Sequence, residues 1–411
     1  MLRSLVVMVA AATCFPVSAR AQWQINQSRK PRSYFAALFD LIIMSICLDL
    51  DREAMVKLWH ILPWLKRRIF PLLLFLLLAY LCYLWFFKQR ISGNLLPRSH
   101  QLAQLSDASQ LKVCQMTDIA VIKSILKPLL VERVVDTPGH KKVGEYLKSK
   151  AEEYGLQTEW DEFKAQTPYG IKHFRNLVAT YDAMAPRRIV LACHYDSKII
   201  RGQVFIAATD SAVPCAIILD IARTLGPIIH QRSNKHITLQ LVFLDGEEAF
   251  VDWNERDSLY GARHLADHWA RKWYPSTDGS SFDLNKEIDR IDVFMLLDLI
   301  GAANPRLTST VGHGTTALFQ DLPKTEDNLK NLGCLKHIPK IFFPGTSWAA
   351  VEDDHIPFMH KGVPIMHLIS VPFPSVWHTI RDNESILDYN SIENVASVVR
   401  VFVAKYLGIT P

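Results

Sequence analysis

Ile237-Thr-Leu-Gln-Leu-Val-Phe-Leu-Asp-Gly-Glu-Glu248 joins a strongly apolar run to a word of acidic residues. A short apolar run ended by Asp-Gly reads as a buried strand. Three further runs read the same way: Val190-Leu-Ala-Cys193, Val293-Phe-Met-Leu-Leu297 and Val363-Pro-Ile-Met-His-Leu-Ile369. Between them lie helical patterns over His140–Tyr154, Ala212–Leu225, Leu259–Ala270 and Ile392–Leu407. Strand–helix alternation predicts an α/β fold, with a mixed, mostly parallel central sheet and helices on both faces. The globular part begins near Gln101, and it shows no internal repeat or low-complexity tract.

The whole chain has 411 residues, 49% of them hydrophobic, enough for a large core. Its formal net charge of +5 is mild, and there is no arginine-rich arm or basic stripe interleaved with aromatics. A nucleic-acid partner is therefore not expected. Seven cysteines are present and none forms a C-x-x-C pair, which argues against a thiolate zinc site or a thioredoxin-like motif.

Ile69 to Phe87 holds nineteen consecutive residues without a charge. A helix needs about 20 apolar residues to cross a bilayer, so this segment is expected to span. Lys66, Arg67 and Arg68 precede it, and aromatics gather at its far end. The positive-inside rule leans toward a cytoplasmic N-terminus. Met1 to Ala21 also has the look of a signal peptide, with Ala19-Arg20-Ala21 as a cleavage site. Cleavage there would leave the large C-terminal part in the cytosol. An uncleaved signal anchor at Ile69–Phe87 is the reading adopted.

Polar residues stand where the expected strands end, which is where open α/β sheets bind ligands. They are His194 and Asp196, then Asp210, then Glu247 and Glu248, then Asp298, and finally His378. Each alone has an ordinary reading. A Glu-Glu pair is usually solvated, an Asp before a helix is usually an N-cap, and a lone histidine is usually structural. Asp298 stands out because an isolated carboxylate in an apolar run is costly. The order of the set along the chain, mostly after apolar runs, is what points to a site.

That order resembles the zinc aminopeptidase superfamily. Finer words are similar to those of animal glutaminyl-peptide cyclotransferases: Asp210-Ser-Ala-Val-Pro-Cys215, Asp245-Gly-Glu-Glu-Ala-Phe250, Leu297-Asp-Leu-Ile-Gly-Ala302, Glu352-Asp-Asp-His-Ile-Pro-Phe358, and Pro372-Phe-Pro374 with Trp377-His-Thr379. The resemblance runs from about Gln110 to Leu407. With the membrane segment before it, the chain looks like the Golgi-resident members. The implied organisation is a cytoplasmic, poorly ordered extension over 1–68, a signal anchor over 69–87, a stem over 88–109 and a cyclase domain over 110–411.

The resemblance implies one zinc per chain, held by Asp210, Glu248 and His378, three ligands with one open position. It implies Glu247 as general acid/base and Asp298 as the group that holds the substrate amine, with Asp353 in its hydrogen-bond network. Trp253, Phe373 and Trp377 would wall a pocket, and His194 and His367 complete its surroundings. The implied reaction converts N-terminal glutamine of peptides and proteins to pyroglutamate with loss of ammonia, and glutamate slowly. A disulfide between Cys193 and Cys215 is likewise implied. Asn383-Glu-Ser385 is a glycosylation sequon expected to be used in a lumenal domain, whereas Asn26 would face the cytosol. The rival reading is a zinc aminopeptidase, since His194, Asp210, Glu248, Asp298 and His378 match all five of its metal-binding positions. The words around Trp377 and Asp353-Asp354-His355 tip the balance to the cyclase. Intact Glu247, Glu248 and Asp298 argue against a third reading, a membrane-anchored binding protein with a dead site.

Overall fold

In the computed structural model, which describes residues 75–83, 101–275 and 282–411, the four apolar runs are strands. Ten strands are described: β1 (Gln157–Thr167), β2 (Gly170–Thr180), β3 (Arg187–His194), β4 (Ile237–Leu244), β5 (Trp273–Pro275), β6 (Phe282–Lys286), β7 (Ile291–Asp298), β8 (Leu307–Thr310), β9 (Phe342–Ser347) and β10 (Ile365–Ile369). Six of them form the central sheet in the order β1-β2-β4-β3-β7-β10. The pairs β4–β3, β3–β7 and β7–β10 are parallel, and β1–β2 and β2–β4 are antiparallel. The β1–β2 hairpin was not expected from the sequence. β1 reads Gln-Thr-Glu-Trp-Asp-Glu-Phe-Lys-Ala-Gln-Thr and buries only Asp161 and Thr167, as suits an edge strand with one solvated face.

The helices are α1 (Asp107–Cys114), α2 (Ile119–Leu126), α3 (Pro138–Glu153), α4 (Val213–Leu225), α5 (Tyr260–Arg271), α6 (Thr316–Phe319), α7 (Asp321–Asn331), α8 (His355–Met359) and α9 (Tyr389–Leu407). Strand side chains alternate between two layers. Ile189, Leu191, Leu239, Leu241, Val293, Met295 and Leu297 join a core cluster with α4 and α9. Val190, Ala192, Val242, Leu244, Phe294 and Leu296 face a second cluster with α5 and Phe358 of α8. β3, β4 and β7 are thus buried on both faces, which is why their sequences run apolar without alternation. Ala208–Gln231 is apolar and long enough to cross a membrane, but 78% of its apolar window is buried, so it serves as the core helix of this domain.

The chain divides into two units, Met1–Phe87 and Lys88–Pro411. In the first, residues 75–83 are helical and exposed, with Phe75, Leu76, Leu78 and Leu81 among the exposed side chains. The rest of the expected span, the extension over 1–68 and most of the stem lie outside the described residues.

The bridge implied between Cys193 and Cys215 is absent from the structure. Both are buried thiols, with sulfurs 2.7 Å apart, and Cys215 donates to the carbonyl of His194. The disulfide instead joins Cys114, at the end of α1, to Cys334, just past α7. α1 and α7 both pack on α9, which brings together cysteines 220 residues apart. Replacing both Cys114 and Cys334 by Ser is expected to lower the free energy of unfolding by about 2–5 kcal/mol. Denaturant melts of the oxidised wild type and the double variant measure this, and equal midpoints would refute it.

Candidate metal centre and active site

The carboxyl ends of β3, β4 and β7 carry His194, Asp245-Gly-Glu-Glu248 and Asp298, and Asp210 sits just before α4. Parallel pairing places His194 opposite Leu244, so the groups after both strands emerge at the same end of the sheet. Asp196 then arranges the acidic word. Its two oxygens accept the backbone N–H groups of Glu247 and Glu248, each at 3.2 Å.

Asp210 is buried and lies between two imidazoles. One oxygen is 3.0 Å from His194 Nε2, and the other is 3.6 Å from His378 Nε2. His378 Nε2 is also 3.3 Å from Glu248 Oε1. Asp210 Oδ2 and Glu248 Oε1 are buried and have no hydrogen-bond donor. Donorless buried carboxylate oxygens beside an imidazole suit a divalent cation, which would satisfy both at once. Asp210, Glu248 and His378 therefore fit a three-ligand zinc site. His194, Asp210 and Asp298 form a second cluster of metal-capable atoms. There His194 is hydrogen-bonded to Asp210 and lies 3.5 Å from Asp298.

Several left-handed residues adjoin these groups: Ala207 (φ 51°), Leu299 (φ 50°) and His378 (φ 53°). Strain of this kind persists only where the surroundings impose it. Asp382 holds the turn before Asp210 by accepting the Thr209 N–H at 2.9 Å. The buried Arg133 donates to the carbonyls of Tyr195, Ile206 and Ala207 at 2.9, 2.6 and 3.1 Å.

Burial and neighbouring charge set the proton positions. Glu247 is carried well above the usual carboxyl range by burial, with Glu248, Asp353 and Asp354 adding to it against His194. Burial, and then the Glu248 charge, push Asp210 up to about 7. Burial opposes ionisation of Asp298 as well, but hydrogen bonds from His194 and Ser211 hold it below the usual range. Burial and the Asp298 charge raise Asp353. Asp353 Oδ2 is 2.7 Å from His367 Nε2.

The aromatic residues expected at the site are partly exposed. Trp377 stacks on His378 with ring centroids 4.0 Å apart and meets Phe373 edge-on at 5.0 Å. Trp253 donates its indole N–H to Glu352 at 2.8 Å, next to Asp353 in sequence. The structure thus gathers Glu248, His378, His194 and Asp298 around Asp210, and pairs Asp353 with His367. Lys198, 3.2 Å from Glu248 Oε2, and the Arg133 and Asp382 supports were missed in the sequence, where nothing local marks them. Ser211 lay in view within the Asp210-Ser211 word.

The model of peptidase family M28 matches residues 176–403. The glutaminyl-peptide cyclotransferase of Gloydius blomhoffii is 41% identical over 329 residues, covering 76% of this chain and 88% of that protein. The glutaminyl-peptide cyclotransferase-like protein of Bos taurus is 42% identical over 295 residues, covering 70% and 75%. The crystal structure of Macrostomum lignano glutaminyl cyclase superimposes with a TM-score of 0.70 at 35% identity, covering 75% of this chain and 96% of that one.

The position of Asp210 makes stability depend on pH in the metal-free protein. Its pKa is raised from 3.8 to about 7 on folding, so the folded state binds the proton more tightly. Its stabilising contribution is complete at low pH and is lost as pH rises toward about 7. Chelator-treated protein is expected to melt at progressively lower temperature across that window, and Asp210→Asn to flatten the slope. Thermal melts at stepped pH measure both, and a slope unchanged by the substitution would contradict the assignment.

Proposed function

The chain belongs to the glutaminyl-peptide cyclotransferases of peptidase family M28, and from that premise we propose that it cyclises N-terminal glutamine with a single zinc held by Asp210, Glu248 and His378. The observation that carries the zinc assignment is the pair of donorless buried oxygens, Asp210 Oδ2 and Glu248 Oε1, each within 3.6 Å of His378 Nε2. Two carboxylates and an imidazole offset the charge of a divalent ion, which when bound supplies Lewis-acid polarisation of the γ-carboxamide oxygen.

The protein's own groups do the rest. Asp298, held ionised by His194 and Ser211, suits the α-amine of the substrate. Glu247 takes a proton from that amine as its nitrogen bonds to the γ-carboxamide carbon. It then returns the proton to the departing NH2 as the carbon–nitrogen bond breaks, releasing ammonia. A carboxyl whose pKa is raised by burial is suited to passing a proton both ways near neutral pH. Phe373 and Trp377 restrict the glutamine side chain to a folded conformation, an entropic contribution to the rate. N-terminal glutamate is a slow substrate on this reading, because hydroxide leaves less readily than ammonia.

One observation favours the aminopeptidase alternative: the His194–Asp210–Asp298 cluster has the donors for a second metal. The hydrogen bond from His194 to Asp210 instead gives that carboxylate oxygen a partner without an ion. On the cyclase reading the substrates are peptides and proteins with N-terminal glutamine or glutamate. The chain is a type II protein of the Golgi or secretory membrane, anchored in the bilayer by residues 69–87 with its catalytic domain in the lumen. The uncharged run at 69–87 supports this. So does the Cys114–Cys334 disulfide, a bond typical of oxidising compartments. Asn383 is half-exposed and caps a short turn, which suits a glycan acceptor.

A glutamine-headed peptide incubated with the zinc-loaded enzyme is expected to lose ammonia and keep every other residue, as read by mass spectrometry. Glu247→Gln should slow this by about 10²–10⁴-fold. Release of free glutamine would overturn the cyclase reading. Protein made in animal cells should shift in mobility on glycosidase treatment, and Asn383→Gln should remove the shift; a shift retained in the variant would contradict the assignment.

A further inference from the structure

A cavity of about 390 Å³ lies between the loops that leave β7 and β10. The first loop lines it from Leu299 to Arg306 and the second from Ser370 to Val376. The two loops are tied together. The Arg306 N–H donates to Ser370 Oγ at 3.2 Å, and the Val371 N–H donates to the Arg306 carbonyl at 3.1 Å. Pro305, Pro372 and Pro374 stiffen the lining, because proline fixes its own φ. The cavity is therefore preformed, and its volume is that of a small-ligand site.

The cavity adjoins the reaction site without being part of it. Leu299 follows Asp298 directly, and Phe373 meets Trp377, which in turn stacks on His378. None of Asp210, Glu247, Glu248 and His378 lines it. Among the described residues that do, Arg306 alone carries a charge, and most of the others are small or apolar. Arg306 is exposed and forms no ion pair among the described residues. Its guanidinium lies over the Phe343 ring, 4.3 Å from the centroid. Stacking occupies the face of a guanidinium and leaves its N–H edge free for a carboxylate. This end of the sheet is rich in carboxylates, so an anionic ligand needs a local cation, and Arg306 supplies one.

We propose that this cavity receives the peptide chain behind the N-terminal glutamine, and that Arg306 pairs there with an acidic side chain of the substrate. The inference rests on the cyclase reading, which puts the substrate amine at Asp298. The carbonyl that continues the chain shares its α-carbon with that amine. The chain therefore departs beside Asp298, and the cavity begins at the next residue, Leu299. The Arg306 contact is remote from the reacting atoms, so it holds substrate and transition state equally. It lowers KM and leaves kcat alone. An exposed pair of this kind is modest in strength and is screened by salt.

The test uses the full-length, zinc-loaded chain in detergent and three sets of glutamine-headed peptides. One set is otherwise all alanine, one carries a single glutamate at the second, third or fourth position, and one carries a single lysine there. Ammonia release at fixed pH gives kcat and KM for each. Wild type is expected to show a KM about 2–5-fold lower for glutamate than for lysine at one of these positions, with kcat alike and the difference fading at high salt. Arg306→Glu should reverse the order, and Arg306→Lys should keep it. Wild type that cyclises every peptide without discrimination would overturn the subsite and leave the cyclase reading standing. So would a glutamate preference that persists in Arg306→Glu, because another cation such as Lys198 would then be its source. If wild type releases no ammonia even from the alanine peptide, the cyclase reading fails and this proposal fails with it.

Discussion

Asp210 shares its two oxygens between two imidazoles, and the chemistry at this end of the sheet depends on that division. One oxygen has a hydrogen-bonded partner in His194. The other is buried beside Glu248 and His378 with no donor. Buried carboxylates repel one another and are poorly solvated, so they require cations or protons. Here the needs are met differently from group to group. His194 serves Asp196, Asp210 and Asp298, Lys198 serves one oxygen of Glu248, and burial carries the Glu247 carboxyl well above its usual pKa range. What remains is one cation-deficient corner at Asp210, Glu248 and His378.

The sheet makes this concentration of charge tolerable. Its central strands are buried on both faces, so they hold their ends in place through apolar contact. The loops leaving those ends are held by polar groups that are themselves buried. Asp196 binds two successive N–H groups of the acidic word, Asp382 binds the N–H before Asp210, and Arg133 gathers carbonyls from two loops. The disulfide between α1 and the end of α7 lies on the α9 side of the domain and reinforces the helical layer.

Much of the site was legible because strand ends concentrate function. Asp245-Gly-Glu-Glu248 follows a run that can only be a buried strand, and Asp298 closes another, so both had to lie at one end of the sheet. His378 was harder to place. It follows β10 by several residues in an irregular segment, and it was marked by its place at the end of the ordered polar set and by the family resemblance. The β1–β2 hairpin escaped notice because β1 is a polar edge strand whose pattern resembles exposed loop. The cysteines were legible only in part, for a related reason. Cys193 and Cys215 do come together, but as thiols, while Cys114 and Cys334 meet only through helix packing.

By itself the sequence determined the strand–helix alternation, the ends at which polar groups would gather, and the apolar run at 69–87. These follow from local composition and periodicity, which act over a few residues. Tertiary structure alone decided which oxygen of Asp210 faces which imidazole, and that Arg133 and Asp382 support the loops. Those contacts join residues from 16 to 173 positions apart. Their energies depend on distances of a few ångströms and on exclusion from water, and neither is written in the order of the residues.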